Sequence, residues 1–269
     1  MIIDVDGVSA HASTGGVELA GDDPVVLFVH GAGMDSTVWQ LQTRWFAHRG
    51  HRSVAVDLPA HGRSAGAPLA TVQEMADWVA RFIAAAGFHT VHLVGHSMGT
   101  FIGLELASRH GSLVSSLTLC GTATAMPVHP DLLDAADHDL PAAAALMASW
   151  GHAQPAHTGG NPTPGLWMLG GARALVERSA PGVLATDFRA CMAYDNAVVA
   201  GAAVTCACTV VIGLGDKMTP PKGGRALAAA LAHPTVVELA GTGHQMMTEN
   251  PRAVKRAIAA TIKATIDAA

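Results

Sequence analysis

The serine at position 97 has the sequence surroundings of a nucleophile. A short apolar run at residues 91–94 leads into Gly-His-Ser-Met-Gly at residues 95–99, and a helix-like segment follows. A Gly-x-Ser-x-Gly motif between a strand and a helix places its serine on a sharp turn, with the hydroxyl clear of the backbone. Glycine suits the flanking positions because a Cβ there would crowd the neighbouring strand and helix. Ser97 is therefore the first candidate for covalent chemistry.

Two downstream residues could activate that hydroxyl. A serine hydroxyl is a weak nucleophile near neutral pH, so it needs a base within hydrogen-bond reach and an acid that orients the base. Asp216 follows the apolar run at residues 209–212, and His244 follows the strand-like run at residues 235–239. Because functional side chains in parallel sheets gather at the carboxyl ends of the strands, we expect Ser97, Asp216 and His244 to meet there. The alternatives are a turn aspartate and a surface histidine.

An upstream loop could stabilise negative charge on a reaction intermediate. The apolar run at residues 25–29 leads directly into His-Gly-Ala-Gly at residues 30–33, which is suited to presenting backbone N–H groups. The histidine of this loop is expected to shape it rather than transfer protons. No spacing of His, Cys and carboxylate residues is typical of a metal site, so we expect neither a metal nor a cofactor.

These motifs together resemble those of the α/β-hydrolase superfamily. The resemblance rests on residues 30–33, 57–64, 95–99, 215–216 and 243–244, and it covers almost the whole chain. It implies an α/β-hydrolase fold: an eight-stranded, mostly parallel sheet flanked by helices, with a helical cap inserted after the sixth strand. It also implies Ser97, Asp216 and His244 as catalytic residues, and an oxyanion hole formed by the backbone N–H groups of Ala32 and Met98.

The alternation of strands and helices is interrupted once. Strands are expected at residues 2–8, 17–19, 25–29, 53–56, 91–94, 116–120, 208–212 and 235–239. Residues 122–195 contain no convincing strand but several helical pieces separated by Pro and Gly. We therefore predict a core formed by residues 1–121 and 196–269, with residues 122–195 as the cap. A separate domain is the less favoured interpretation, since the strand–helix pattern resumes afterwards.

The predicted cap carries large apolar side chains and few charges. Trp150, Trp167, Met147 and Met168 are candidates for the lining of an apolar substrate pocket. They could equally hold the cap helices together.

Composition narrows the class of protein. Half of the 269 residues are hydrophobic, 14% are charged and the net charge is −5, which favours a buried α/β sheet and gives no reason to expect nucleic acid. The amino terminus lacks the basic and apolar regions of a signal peptide, and four cysteines do not form a secreted disulfide framework. We expect a cytoplasmic protein that acts on a small molecule, without a membrane; a homodimer is compatible with the sequence.

The resemblance implies a hydrolase. The favoured activity is cofactor-free hydrolysis of small, largely apolar carboxylic esters through an acyl-serine intermediate. One alternative is hydrolysis of a carbon–carbon bond in a diketone-like ring-cleavage product, for which Arg173, Arg178 and Arg189 of the cap could bind an acidic substrate. A ligand receptor of the same fold with slow turnover is the other alternative.

Overall fold

A single eight-stranded sheet forms the centre of the molecule. The structure is a computed structural model that describes residues 1–160 and 165–267. The strands are β1 (Ile2–Val5), β2 (Val8–Ser13), β3 (Val25–Val29), β4 (Ser53–Val56), β5 (Val91–His96), β6 (Val114–Cys120), β7 (Ala207–Gly213) and β8 (Thr235–Leu239). Their spatial order is β1-β2-β4-β3-β5-β6-β7-β8. β1 and β2 pair antiparallel, β2 pairs antiparallel with β4, and the remaining pairs are parallel.

The helices lie against this sheet and between its last strands. They are α1 (Gln40–Ala47), α2 (Val72–Ala85), α3 (Met98–Arg109), α4 (Pro130–His138), α5 (Leu140–Gly151), α6 (Gln154–His157), α7 (Met168–Glu177), α8 (Val183–Ala193), α9 (Ala197–Ala202), α10 (Pro221–Ala228), α11 (Met246–Glu249) and α12 (Pro251–Asp267). Short 3₁₀ turns occupy Ser36–Trp39 and Gly111–Leu113. Among the described residues, no helix has the length and apolar character needed to cross a membrane.

The central strands are apolar because they are covered on both faces. Every residue of β3 and of β5 is buried. A strand with both faces covered cannot alternate between apolar and polar residues, and so reads as a continuous apolar run. This is the pattern from which the first core strand was predicted.

The amino-terminal hairpin differs from the prediction. The expected strands at 2–8 and 17–19 are replaced by β1 and β2, which are joined by a two-residue turn at Asp6 and Gly7. Both turn residues have positive φ, 54° and 82°, as a type I′ hairpin turn requires. The Asp-Gly pair is a strong hairpin signal, and the prediction of a strand at 17–19 was wrong because it passed over that signal.

The helical insertion, which we define as residues 122–195, lies between β6 and β7. Its described part contains α4 to α8 and no strand, as the sequence predicts. Helix α8 ends at Ala193, and α9 begins only after a break. Positions 161–164 of the insertion lie outside the described residues.

Candidate active site

Ser97 lies in a strained turn between β5 and α3. Its backbone has φ +52° and ψ −119°, in a region that residues with a side chain rarely adopt. Its N–H donates to the Cys120 carbonyl at 3.0 Å, and both the N–H and the hydroxyl of Thr100 donate to the Ser97 carbonyl, at 2.8 and 2.6 Å. Such a conformation costs about 1–3 kcal/mol and persists only where the surroundings enforce it. Here β6 and the first turn of α3 hold it.

The glycines on either side of Ser97 permit close contact between backbones. A Cβ on Gly99 would lie 2.5 Å from the Val29 carbonyl oxygen, and one on Gly95 would lie 2.2 Å from the Gly99 carbonyl oxygen. A carbon atom cannot approach a carbonyl oxygen so closely without displacing backbone. The first turn of α3 therefore packs directly against the end of β3, as the motif predicts.

His244 and Asp216 form a buried pair in the loops after β8 and β7. His244 Nδ1 lies 2.8 Å from Asp216 Oδ2, and both side chains are almost fully buried. Thr219 Oγ donates to the same carboxylate oxygen at 2.7 Å and lies 3.1 Å from His244 Nδ1. Because Nδ1 must donate to the carboxylate, a neutral His244 leaves Nε2 as a proton acceptor. This is the tautomer that a general base requires.

The environment of Asp216 keeps it ionised. Burial alone would raise the pKa of this carboxyl, but His244 and Thr219 outweigh burial and hold the pKa below its ordinary value. The backbone N–H groups of Met218 and Thr219 also donate to Oδ1, each at 2.8 Å. A carboxylate that accepts this many hydrogen bonds is a strong orienting partner for histidine. The contribution of Thr219 was missed from the sequence, where a threonine three residues after an aspartate is a common turn pattern.

Two further side chains hold the loop that carries His244. His96 Nε2 donates to the His244 carbonyl at 2.9 Å, and burial keeps the pKa of His96 well below its ordinary value. Glu249 accepts hydrogen bonds from the N–H groups of Gly243, at 3.0 Å, and Ala153, at 2.8 Å. Burial raises the pKa of this glutamate. Glu249 thus ties the histidine loop to the helical insertion, a long-range contact that no local pattern indicates.

The glycine loop after β3 packs against Ser97. A Cβ on Gly31 would lie 3.1 Å from Ser97 Cβ, and the Met34 N–H closes the loop by donating to the Gly31 carbonyl at 3.2 Å. Within the described residues, the Ala32 N–H donates to no protein acceptor. Met98 is the first residue of α3, where the helix dipole favours negative charge. The loop and the helix start therefore both offer N–H groups beside Ser97.

An apolar cavity of about 340 Å³ opens at Ser97. Trp150 lines this cavity, while Met147 lies buried in the core. Met168 and Trp167 border a different cavity, and Trp167 is 78% exposed. The structure therefore does not place these last three residues at Ser97. The lining consists of Ala32, Ser97, Met126, Pro127, Val128, His129, Leu132, Trp150, Phe188, Cys191, Lys217, Met218 and Thr219.

Within the described part of the chain, no hydrogen bond joins the Ser97 hydroxyl to His244. Such bonds are often long in the absence of substrate and shorten only in the reacting complex. The three side chains nevertheless emerge at the same edge of the sheet, after β5, β7 and β8.

The fold and the site together define a class of protein: an α/β protein with a serine on a strained strand-to-helix turn and a histidine–carboxylate pair at the carboxyl edge of a parallel sheet. The chain belongs to the alpha/beta hydrolase family, whose sequence model matches residues 26–257. The resemblance seen in the motifs is thereby confirmed, as is the predicted fold class.

Solved structures show the same fold. The enol-lactonase from Burkholderia xenovorans LB400 superposes with a TM-score of 0.87 over 98% of this chain and 100% of its own, at 21% identity. A thermophilic esterase from Thermogutta terrifontis superposes with a TM-score of 0.83 over 98% of each chain, at 22% identity.

Curated relatives match over shorter stretches. A pimeloyl-[acyl-carrier protein] methyl ester esterase from Methylococcus capsulatus is 37% identical over 111 residues, which make up 39% of this chain and 40% of the esterase. The (E)-2-((N-methylformamido)methylene)succinate hydrolase of Acinetobacter baylyi is 33% identical over 98 residues, 36% of each protein. The chain thus spans less than half the length of these relatives.

Proposed function

We propose that this protein is a serine hydrolase that cleaves small, largely apolar carboxylic esters. Ser97 is the nucleophile, His244 the general base and Asp216 the orienting acid. The backbone N–H groups of Ala32 and Met98 form the oxyanion hole, and residues 122–195 act as a cap over the site. The methyl ester esterase from Methylococcus capsulatus and the hydrolase from Acinetobacter baylyi named above support hydrolysis as the reaction type.

One observation carries the proposal. Ser97 sits in a strained, positive-φ turn and lines an apolar cavity of about 340 Å³, at the sheet edge where a buried Asp216–His244 pair is held in the tautomer of a base. The volume lies within the range of small-molecule sites. Strained backbone of this kind is concentrated at functional sites, and here the strained turn exposes the Ser97 hydroxyl to the cavity.

Acylation would follow from this geometry. The Ser97 oxygen attacks the ester carbonyl carbon while His244 Nε2 takes the hydroxyl proton. The negative charge that develops on the carbonyl oxygen is met by the N–H groups of Ala32 and Met98, each such donor contributing roughly 3–4 kcal/mol in comparable sites. The bond between the carbonyl carbon and the alcohol oxygen then breaks, and the imidazolium returns its proton to the leaving alcohol.

Deacylation would repeat the sequence with water. His244 Nε2 takes a proton from water, whose oxygen attacks the acyl carbon, and the carboxylic acid leaves as the proton returns to the Ser97 oxygen. Throughout, Asp216 stabilises the imidazolium without being protonated, which agrees with its lowered pKa.

The arrangement of arginines favours esters over acidic ring-cleavage products. Arg173 pairs with Glu177, Arg178 with Asp35, and Arg189 with Asp137, and none of the three lines the Ser97 cavity. Carbon–carbon hydrolysis of an acidic substrate would need a cation to bind the carboxylate. Among the described lining residues, the one lysine or arginine is the exposed Lys217.

The experiment is turnover of p-nitrophenyl esters with acyl chains of increasing length, beside an acidic ring-cleavage dienoate. Each methylene that the cavity accommodates should raise kcat/KM in line with about 0.8 kcal/mol per buried CH₂, until the cavity is full. A dienoate that is hydrolysed faster than every ester would favour the carbon–carbon hydrolase. Tight ligand binding with negligible turnover of every substrate would favour the receptor.

The Ser97→Ala variant tests the nucleophile. Replacing one hydroxyl at this turn should leave the fold intact and lower kcat at least about 10³-fold, because the oxygen that would carry the acyl group is gone. An organophosphonate should label wild-type protein at Ser97 and leave the variant unlabelled. Labelling at another serine, or wild-type turnover by purified Ser97→Ala protein, would contradict the proposal.

A further inference from the structure

A buried carboxylate of the helical insertion reaches the glycine loop beside Ser97. Asp187 on α8 is fully buried, and its Oδ2 accepts hydrogen bonds from the Gly33 N–H and from His61 Nε2, both at 2.8 Å. Its other oxygen, Oδ1, has no hydrogen-bond partner among the described residues. Asp187 therefore joins three parts of the chain: the insertion, the loop after β3 and the loop after β4.

The hydrogen bonds of His61 are those of a protonated ring beside an ionised carboxylate. Its Nδ1 lies 2.9 Å from the Pro59 carbonyl and its Nε2 lies 2.8 Å from the Asp187 carboxylate. A carbonyl and an ionised carboxylate only accept, so next to ionised Asp187 both ring nitrogens carry a proton. Burial alone would lower the pKa of His61, but Asp187 outweighs it and raises the pKa above its ordinary value.

The neighbouring His30 is neutral. Its Nε2 accepts from the Leu58 N–H at 3.1 Å and its Nδ1 donates to the Gly31 carbonyl at 2.9 Å, which is the pattern of a neutral imidazole. Burial and the positive charge of His61, whose ring centre is 4.8 Å away, lower the pKa of His30 to about 4. His30 therefore adds no charge beside the Asp187–His61 pair.

Stability alone is a weak reason for such a pair. Removing two charges from water is costly, and apolar residues often stabilise a core as well or better. The partly exposed pair Arg178–Asp35, at 2.9 Å, already connects the insertion to the same loop. The buried pair is distinguished by its hydrogen bond to the backbone of the loop itself.

Helix α8 fixes the backbone of that loop at Gly33. The segment 31–34 is a turn closed by the Met34 N–H, and Gly33 has φ +63°. Leu184 packs so tightly on Gly33 that a Cβ there would lie 2.6 Å from its Cδ1. Leu184 and Asp187 are three residues apart and share one face of α8. One face of this helix therefore fills the space beside Gly33 and accepts its N–H.

We propose that Asp187 is a positioning residue of the oxyanion hole, which orients the Ala32 N–H by holding the adjacent Gly33 peptide. The two peptides on either side of Ala32 share its Cα, so a rotation of the Gly33 peptide reorients the Ala32 N–H. The helical insertion then contributes to transition-state stabilisation and not only to the cavity. This inference rests on the proposed function.

The experiment compares Asp187→Ala and Asp187→Asn with wild type. The readouts are kcat, KM and inhibition by a trifluoromethyl ketone, which forms a tetrahedral oxyanion on the serine and so reports on the oxyanion hole. Removal of a whole oxyanion donor costs about 10²–10³ in kcat, so a displaced donor in Asp187→Ala should cost about tenfold or more. Ketone inhibition should weaken by the same factor while KM stays within about twofold. Asp187→Asn keeps an oxygen for the Gly33 N–H and should recover most of both.

Two matched controls remove ion pairs of the insertion that do not touch the loop backbone. Arg178→Met breaks the pair with Asp35, and Asp137→Ala breaks the pair with Arg189 at 2.7 Å. Both variants should leave the ratio of the ketone's inhibition constant to KM unchanged. If Asp187→Ala does not fold, as judged by circular dichroism, Asp187→Leu carries the test, because it fills a similar space without an acceptor for the Gly33 N–H, and it should show the same losses.

The outcomes separate this inference from the proposed function. Wild-type turnover and Ser97 labelling, with kcat and ketone inhibition unaltered in the Asp187 variants, would overturn the inference alone. Equal loss of substrate and ketone affinity would also overturn it, since it would reflect a disturbed cavity. If wild-type protein shows neither ester turnover nor labelling at Ser97, both proposals are wrong.

Discussion

At the scale of single residues, the candidate site depends on how each hydrogen bond limits the charge and tautomer of its neighbour. The Asp216 carboxylate has four hydrogen-bonding contacts with groups of three residues, and only one of them is the His244 ring. Because Thr219 and two backbone N–H groups fix the carboxylate, the carboxylate in turn fixes the ring. Preorganisation of this kind means that little reorganisation is needed during the reaction.

Replacing Asp216 by asparagine tests that chain of contacts. In Asp216→Asn the amide can offer an N–H to Nδ1, which favours the tautomer with the proton on Nε2, and the base is lost. We expect kcat to fall by about 10⁴, as in comparable triads, with circular dichroism unchanged. Asp131→Asn, on the exposed start of α4, is the control and should keep wild-type kcat. Equal kcat in Asp216→Asn and wild type would show that a different carboxylate holds the histidine.

Lys217 decides how far the cavity can accept an anionic substrate. The side chain is exposed, and no ion pair of the described residues engages it. An exposed charge pair gains at most about 1 kcal/mol, so Lys217→Met should lower kcat/KM for a p-nitrophenyl hemisuccinate about two- to fivefold. Turnover of p-nitrophenyl butyrate should stay within twofold. Lys222→Met, which removes an exposed lysine outside the cavity, should alter neither. A loss above about thirtyfold for the hemisuccinate would indicate that acidic esters are the preferred class.

At the scale of elements, local sequence patterns predicted the strands of the sheet and the order of the motifs along the chain. They did not predict contacts between elements that are distant in sequence. The buried strands and the Ser97 turn were predicted because their signals lie within a few residues. The contribution of Glu249, which joins Gly243 to Ala153 across more than ninety positions, has no local signal. Equally, the residue type cannot tell that Trp150 lines the cavity and Trp167 faces solvent, since the packing of distant elements decides which tryptophan is covered.

The contact of α3 with β3 can be tested through Gly99. A Cβ in Gly99→Ala would lie 2.5 Å from the Val29 carbonyl oxygen, so the first turn of α3 must shift together with Ser97. We expect a loss of unfolding free energy of about 1–3 kcal/mol, typical of overpacking, and a much larger relative loss of kcat. Urea unfolding and ester turnover measure the two effects. The control is Gly111→Ala, where the added Cβ meets no atom within 4 Å. Wild-type kcat in Gly99→Ala would show that the turn tolerates displacement.

At the scale of the whole molecule, several histidines are buried in a neutral state. Burial lowers the pKa of four such histidines, His30, His92, His96 and His152. Each of them binds protons more readily in the unfolded chain, so each makes folding less stable as the pH falls. His61 acts in the opposite direction, because its pKa is raised: its contribution is present below about pH 6.5 and is lost as the pH rises through its folded value. The balance predicts a protein that loses stability in mild acid.

His92 isolates one part of that balance away from the candidate site. It lies on β5, contacts the Ser116 hydroxyl at 2.9 Å, and burial, assisted by His51, lowers its pKa from 6.5 to about 4. Between pH 6.5 and about pH 4, His92 is protonated in the unfolded chain but not in the folded one. The free energy of unfolding therefore decreases as the pH is lowered. From pH 7.5 to 4.5 this one group should cost about 2.5 kcal/mol.

The His92→Gln variant removes the titrating group and can keep a hydrogen bond to Ser116. Urea unfolding at pH 7.5 and at pH 4.5 should show a smaller acid-induced loss than in wild type, by up to about 2.5 kcal/mol. His89→Gln, which replaces an exposed histidine near the same strand, should retain the wild-type loss. If His92→Gln and wild type lose the same stability over this range, His92 takes up its proton within the folded molecule. The acid sensitivity would then have to come from the other buried histidines.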